Sequence, residues 1–356
     1  MPTPVSNDFV VDFPTLGYLA ADWIEWHCPI PDGFKQGSPY VMADWQLWCT
    51  VNHYRVKTTA KWVPDNPVRG PAFFYRRSLV VAPQKTGKGP WTASQALFEA
   101  RGPALFAGWA KGGEIYECRH HGCGCGFTFE YEPGDPMGMP WPTPLIQIMA
   151  TSEDQVDNIW RPLTSMVKNG PLIESVKPGE EFIRLPNDGR IDKITSNAMS
   201  RLGNPITACF QDENGLYTRS NKLTKTARTM RRGVAGMSGR SNATTNAWDP
   251  SEKSDAQETY DLHPADVFVF FREAPASLGD FKKKAARKRI LEYVYEGSWW
   301  VDLNSIEAEA AELVQLDPAE AERFYGNRLV QGQGTWLPPE LWEKAYAGRA
   351  LAAQPA

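Results

Sequence analysis

The 356-residue sequence has no apolar run of the roughly 18–20 residues that cross a bilayer. Its first residues, MPTPVSNDFVVDFPTLG, lack a basic segment followed by an apolar one, so we expect no secretion signal. There are only six cysteines, and three of them fall within residues 118–125, which fits a reducing cytoplasm better than a disulfide scaffold. A net charge of −4 excludes a general basic coat for nucleic acid, although a local basic track stays open.

Strand-like and helix-like segments alternate from about residue 70 to residue 250. Residues 72–82, AFFYRRSLVVA, are typical of a buried strand, and a helix-forming stretch that ends at Gly102 follows them. Another strand-like run ends before Ser152, whose place ahead of Gln155 resembles a helix N-cap. The alternation predicts an α/β domain with a mainly parallel sheet and flanking helices.

Changes in composition divide the chain into three parts. We interpret residues 1–70 as an N-terminal segment, residues 71–265 as the α/β core and residues 266–356 as a helical linker or lid subdomain. At about residues 111–140 the core pattern is interrupted by a stretch rich in glycine and proline, which favours a hairpin-like insertion.

Residues 81–92, VAPQKTGKGPWT, lie between a strand-like run and a helix, the context of a phosphate-binding loop. In such loops backbone N–H groups surround the phosphates and a lysine, here Lys88, bridges their oxygens. Ala82 replaces the usual first glycine, and Gly89 replaces the Ser or Thr whose hydroxyl contacts Mg²⁺. Taken alone, the loop is either a nucleotide site or a lysine in a strand-to-helix turn. Its candidate nucleotide-binding residues are Pro83, Gln84, Lys85, Thr86, Gly87, Lys88 and Gly89.

Two further polar groups follow apolar, strand-like runs. Asp212 and Glu213 end one of them, at the position where open α/β sheets bind ligands. Asp212 can hold Mg²⁺ and Glu213 can polarise a water that attacks a γ-phosphate, unless the pair is a solvated acidic turn. Thr244, Thr245 and Asn246 end another run, where they either sense a γ-phosphate or form an ordinary polar turn.

Gln46 lies upstream of the loop on a predicted helix. Its amide can donate and accept at once, as the edge of adenine requires, which would favour ATP. A lone glutamine on an amphipathic helix is usually a surface residue, so this role also has an alternative.

The order of these motifs along the chain resembles the ATPase part of the large terminase subunit of tailed bacteriophages, the motor that packages DNA into procapsids. RRSLVVAPQKTGKG is similar to the family's Walker A segment, and FQDENGLY to its Walker B with the catalytic glutamate. IQIMATSEDQVDNIW is similar to its strand-and-turn motif, and TTNAWDPSEKSDAQETY to its coupling motif. The resemblance runs from about residue 40 to the end.

The resemblance implies a P-loop NTPase of the RecA-like (ASCE) type, with ATP and Mg²⁺ as cofactors. Glu213, Lys88 and Lys85 are then the catalytic residues, with Lys85 the nearest cation to Gln84, where many members have an arginine. It also implies double-stranded viral DNA, a portal protein and a small terminase subunit as partners. The chain would form a homo-oligomeric ring on the procapsid, in the host bacterial cytoplasm and without a membrane partner.

Family members also have a C-terminal nuclease, whose acidic metal ligands we do not find after residue 265. WLPPELWEKAYA is similar to the junction before that domain, so we expect no nuclease activity, in either a truncated or a separately encoded ATPase. Two alternatives stay open: another nucleic-acid translocase or helicase-like ATPase, and a low-turnover scaffold that binds DNA or the portal. The missing hydroxyl at Gly89 is the feature that would favour the scaffold.

A basic stripe forms a first secondary site. Lys222, Lys225, Arg228 and Arg232 share a face about 120° wide on a helical wheel. This face either follows a DNA backbone, presents an arginine to a neighbouring subunit's ATP, or is simply exposed.

The segment CRHHGCGC forms a second one. It offers Cys118, His121, Cys123 and Cys125 as four zinc ligands, with His120 nearby. The spacing lacks a paired Cys-x-x-Cys knuckle, so the alternative is a flexible insertion that bears free thiols.

Overall fold

The computed structural model describes residues 9–63, 65, 72–194 and 204–332. The predicted junction WLPPELWEKAYA lies outside them. The helices are α1 (Gly17–His27), α2 (Asp44–His53), α3 (Lys88–Arg101), α4 (Glu153–Asn169), α5 (Leu223–Gly236), α6 (Asp255–Leu262), α7 (Lys284–Val294), α8 (Leu303–Leu316) and α9 (Pro318–Phe324). The strands are β1 (Arg77–Val81), β2 (Leu105–Trp109), β3 (Ile115–Glu117), β4 (Thr128–Glu130), β5 (Pro136–Met139), β6 (Leu145–Met149), β7 (Phe182–Arg184), β8 (Arg190–Ile194), β9 (Ala208–Asp212), β10 (Arg240–Thr245) and β11 (Val267–Phe271).

A seven-stranded sheet forms the centre, in the order β11-β1-β10-β9-β6-β8-β7. Its pairings are parallel except for the one between β7 and β8. Every residue of β1, β9 and β10 is buried, as expected of parallel strands covered by helices on both faces. The predicted α/β fold with a mainly parallel sheet is therefore confirmed.

The helices α3 and α4 pack against each other beside this sheet. The side-chain oxygen of Ser152 accepts from the N–H of Gln155 and caps α4, so the predicted N-cap is confirmed. The N-terminal helices join the same core, because α1 packs on α3 and α2 on β1 and β11. None of the helices in the described ranges is long and apolar enough to cross a membrane.

The stretch 111–140 contains an antiparallel hairpin of β3 and β4, while β5 returns to pair with β2. The C-terminal helices α7, α8 and α9 surround a separate small core that includes Phe281, Ile290 and Ala310. The strand β11 precedes them and pairs with β1, so the sheet extends past residue 265 into the part that we assigned to the helical subdomain.

A buried ion pair fastens the N-terminal segment to the core. Arg240 on β10 donates to Glu99 on α3 at 2.7 Å and to the carbonyl of His53 at 2.8 Å. The hydroxyl of Tyr54 donates to the same Glu99 carboxylate at 2.9 Å. Both members of the pair are almost completely buried, so each depends on the other for its neutralisation.

Replacing this arginine should therefore destabilise the fold. We expect Arg240→Met to lower the free energy of unfolding by about 3–5 kcal/mol, because it leaves the buried Glu99 carboxyl without its cation and with only neutral donors such as Tyr54. Urea unfolding followed by fluorescence measures the change. Arg76→Met is the matched control: its pair with Asp266 is half exposed, so it should change stability by only about 0–1 kcal/mol. Equal losses in the two variants would contradict this assignment.

Candidate functional site

The carboxyl ends of β1, β10 and β9 lie side by side. In the sheet register Val81 pairs with Thr245, and Thr244 pairs with Asp212. The loop after β1, the polar end of β10 and the acids after β9 therefore meet at one edge of the sheet. This is the edge at which open α/β sheets bind ligands.

The loop from Ala82 to Lys88 leads from β1 directly into α3. Gly87 precedes the helix with a φ of 83°, in the left-handed region that favours glycine. A Cβ at this position would also lie 2.9 Å from the ring of Trp300, which would have to shift to make room for it. The Thr86 hydroxyl donates to the Pro83 carbonyl at 2.8 Å, which holds the turn closed.

The Lys88 ammonium is buried beneath this loop. Its Nζ donates to the carbonyl oxygens of Ala82 at 2.7 Å and Pro83 at 2.8 Å, and to Oδ1 of Asn246 at 2.8 Å. Burial lowers the pKa of Lys88, and Glu213 and Asp212 oppose that shift. The lysine predicted to bind phosphates thus lies at the sheet edge, surrounded by acceptors.

Asn246 links this lysine to the predicted general base. Its Oδ1 accepts from Lys88, and its Nδ2 donates to both carboxylate oxygens of Glu213 at 3.2 and 3.3 Å. Glu213 has a φ of 54°, a left-handed conformation that non-glycine residues adopt mainly at functional sites and tight turns. The side-chain amide of Asn246 is therefore hydrogen-bonded to both charged groups at once.

Burial shifts the pKa of both acids at the sheet edge upward. Burial raises the pKa of Glu213 to about 7, with Lys88 lowering it and Asp212 raising it. A carboxylate with a pKa near neutrality is well placed to act as a general base. Burial also raises the pKa of Asp212, whose Oδ1 accepts from the Thr244 hydroxyl at 2.7 Å. Thr245 contacts both the backbone and the predicted base: its Oγ1 accepts from the N–H of Gly215 at 3.0 Å, and its hydroxyl lowers the pKa of Glu213 by a hydrogen bond.

A cavity of about 930 Å³ opens over these groups. Residues of α4 to which the sequence analysis assigned no role at the site also line it, among them Asp154, Asn158 and Arg161. The Arg161 side chain is 79% exposed, and its guanidinium lies 3.8 Å from the Asp32 carboxylate. It places a permanent positive charge at the cavity wall. Among the predicted residues, the cavity is lined by Gln84, Lys85, Gly87, Lys88, Gly89, Asp212, Glu213 and Asn246.

The departure at Gly89 has a steric cause. A Cβ at this position would lie 2.4 Å from the backbone carbonyl oxygen of Asn158, since α3 and α4 are in close contact here. A serine or threonine hydroxyl therefore has no place at position 89. The oxygen donors around the cavity include the Asp212 carboxylate and, from α4, Asp154 and Asn158, and hard oxygen ligands of this kind fit Mg²⁺.

A second, more apolar cavity of about 430 Å³ adjoins the loop. Gln46 lines it together with Trp299 and Trp300, which come from the segment after α7. The Gln46 amide accepts from the N–H of Ala43 at 3.1 Å and donates to the Tyr40 hydroxyl at 3.2 Å. Gln46 is thus a buried residue beside the loop and not a surface residue, and its contact with adenine stays a prediction.

The helical subdomain also contacts the loop backbone. The Tyr295 hydroxyl donates to the Gln84 carbonyl at 2.9 Å, and the Gln84 N–H donates to the carbonyl of Phe324 at 3.0 Å. Asn327 donates to the carbonyl of Val81 at 3.2 Å, just before the loop. These bonds join residues far apart in sequence, so no local pattern could have indicated them.

The basic stripe lies on the exposed face of α5 and at its start, with Lys222, Lys225, Arg228 and Arg232 all exposed. Arg228 forms an ion pair with Glu258 of α6, and the stripe is partly neutralised there. Its role in binding DNA, or in reaching a neighbour's nucleotide, stays a prediction.

The cysteine cluster differs from the predicted ligand set. Cys118, Cys123 and Cys125 lie together, but the fourth side chain of the group is His27 of α1 and not His121. His121 is exposed, and its ring stacks on Tyr116 at 5.0 Å. At this one position the structure differs from the predicted set, because the histidine that lies beside the cysteines is distant from them in sequence.

Comparisons with known proteins agree with the fold. No family model matches the chain. The Gene 13 proteins of Mycobacterium phage L5 and phage D29 are 24% and 23% identical to it over 310 and 304 residues, which cover 78% and 77% of this chain. The chain spans about half the length of these curated relatives, 48% and 47%.

Among solved structures, the HK97 bacteriophage large terminase is similar, with a TM-score of 0.60 and 17% identity. The match covers 92% of this chain and 58% of that one. The chain therefore has the fold of a large terminase, as its motifs predict.

The packing at Gly89 can be tested directly. Gly89→Ser introduces the hydroxyl of the usual loop but drives its Cβ against a backbone carbonyl, which no rotamer change relieves. We expect it to lower the free energy of unfolding by roughly 1–3 kcal/mol. Gly236→Ser is the control, because a Cβ there meets nothing within 4 Å. Thermal unfolding of the two variants gives the comparison, and native-like stability of Gly89→Ser would show that α3 and α4 are not in close contact.

Proposed function

We propose that this chain is the ATP-hydrolysing motor part of a phage large terminase, which drives double-stranded viral DNA into a procapsid. The observation that carries the proposal is the amide of Asn246, which contacts both Lys88 and Glu213. A nucleotide-dependent motor needs such a group, since it must couple the state of the phosphates to the catalytic base. The order of the motifs and the likeness in fold support the same conclusion.

Lys88 and the loop would bind the phosphates. The ammonium would exchange the carbonyls of Ala82 and Pro83 for the β- and γ-phosphate oxygens, at the N-terminus of α3. Asp212 would hold Mg²⁺, with Asp154 and Asn158 the nearby oxygen donors in place of a hydroxyl at Gly89. The bound ion would neutralise charge on the phosphate oxygens.

Glu213 would accept the proton of the water that attacks the γ-phosphate. While the phosphate engages Lys88, Asn246 is released from the lysine and is free to orient Glu213. After hydrolysis the lysine returns to Asn246, and the loop transmits the change to the helical subdomain through the hydrogen bonds at Gln84. This sequence of contacts is the proposed coupling of hydrolysis to movement.

The apolar cavity beside Gln46 would take the adenine. Its volume of about 430 Å³ is within the range of small-ligand pockets, and the rings of Trp299 and Trp300 offer apolar contact. Gln46 retains one amide hydrogen for the base after its bond to Tyr40.

Two cations line the phosphate cavity and could stabilise the transition state. Lys85 lies on the loop itself, and Arg161 reaches the cavity from α4. The stripe of Lys225, Arg228 and Arg232 would contact DNA or the nucleotide of a neighbouring subunit. Such subunits would form a ring on the portal protein. They would act there with a small terminase subunit, in the host bacterial cytoplasm.

The catalytic roles can be tested by DNA-stimulated phosphate release. We expect Glu213→Gln to reduce turnover by about 10²–10⁴-fold while binding of a fluorescent ATP analogue is kept, because only the base is lost. Lys88→Ala should lose both turnover and binding. Glu25→Gln, at an exposed acid of α1 that lines neither cavity, is the matched control and should behave as the native protein. Unchanged hydrolysis in both Lys88→Ala and Glu213→Gln, measured with DNA and portal present, would contradict the proposal.

The pH dependence follows from the raised pKa of Glu213, about 7. The base must be ionised, so kcat/KM for ATP should rise about tenfold per pH unit below pH 7 and level off above it. Asn246→Ala removes an amide that donates to the carboxylate, which raises the pKa and should shift the rise to higher pH. Initial rates between pH 5.5 and 9 measure both profiles. A flat native profile across neutrality would exclude Glu213 as the base.

A further inference from the structure

Three thiols from the insertion converge on one imidazole nitrogen from α1. The Nε2 of His27 lies 3.1 Å from Sγ of Cys125, 3.5 Å from Sγ of Cys118 and 3.8 Å from Sγ of Cys123. All four ligand atoms lie within 4.8 Å of one another. The cluster is distinct from the nucleotide site, because none of its residues lines either cavity there.

These separations match a tetrahedral metal site. Zinc bonds of about 2.3 Å to sulfur and about 2.0–2.1 Å to nitrogen place neighbouring ligand atoms roughly 3.5–3.8 Å apart. The distances from His27 to the three sulfurs bracket this range, so an ion fits after small side-chain adjustments. A disulfide would use two of the thiols and leave the imidazole and the third thiol unexplained.

The surrounding contacts prepare the ligands for a cation. The Nδ1 of His27 donates to the carbonyl of Trp23 at 2.7 Å, which leaves the lone pair of Nε2 directed at the sulfurs. The His27 ring is stacked on Trp23, with centroids 4.1 Å apart. The N–H of Phe127 donates to Sγ of Cys125 at 3.4 Å, as outer-shell groups do around zinc-bound thiolates.

We propose that His27, Cys118, Cys123 and Cys125 hold one structural zinc ion, which fastens the insertion to α1. Three thiolates and one imidazole fill the tetrahedron, so no position remains open for a water or a substrate. The ion would join segments about ninety residues apart in the chain and so add a cross-link between the hairpin and α1 to the apolar contacts of Tyr116 and Phe127. This site does not depend on the proposed motor function.

The metal content of the purified full chain tests the site. We expect one zinc per chain by mass spectrometry of the metal, and loss of that zinc in His27→Ala and in Cys123→Ser. His121→Ala and Cys209→Ser are the matched controls: the first removes the neighbouring histidine outside the group, and the second removes a buried thiol elsewhere. Retention of zinc in His27→Ala with loss in His121→Ala would overturn the ligand set.

A second measurement uses the unaltered protein, so that it does not depend on the folding of a variant. X-ray absorption at the zinc edge should give a first shell of three sulfurs and one nitrogen. Chelation should lower the thermal unfolding midpoint, and Zn²⁺ alone should restore it. Substoichiometric zinc after growth with added zinc, or an oxygen-rich first shell, would each overturn the proposal.

Discussion

The hydrogen bonds of Asn246 to Lys88 and Glu213 depend on the parallel register of three strands. Because β10 lies between β1 and β9, its end is the only place in the described sheet from which one side chain can reach both the loop lysine and the acid after β9. A slip of one residue would turn the side chain to the other face of the sheet. The buried, fully paired strands prevent that slip, and the candidate chemistry follows from their rigidity.

Close contact of α3 with α4 explains why the loop departs from the usual pattern. The carbonyl of Asn158 occupies the space that a side chain at Gly89 would need, and the same approach brings Arg161 to the cavity wall. The loss of a hydroxyl and the gain of new polar groups are thus two results of one packing arrangement. On the other side of the loop, the bond from Tyr295 to Gln84 ties the phosphate site to the helical subdomain.

The N-terminal segment and the insertion are held to the core by polar contacts at two places. The pair of Arg240 and Glu99 joins β10 to α3 and receives the hydroxyl of Tyr54 from the N-terminal part. The cluster at His27 joins α1 to the hairpin. Both contacts use polar groups whose burial costs free energy unless they have partners. They therefore fix the positions of the outer segments as well as their attachment to the core.

The sequence by itself determined what depends on neighbours along the chain. Alternating apolar segments indicated the parallel sheet, polar residues at strand ends indicated the site, and Ser152 indicated a helix start, because periodicity, capping and strand ends are local. Tertiary structure alone decided that His27 and not His121 joins the cysteines, that Trp300 lies against the loop, and that position 89 admits only glycine. Each of these is a contact between residues far apart in sequence, and such contacts are set by how helices and sheet pack, which no local pattern encodes.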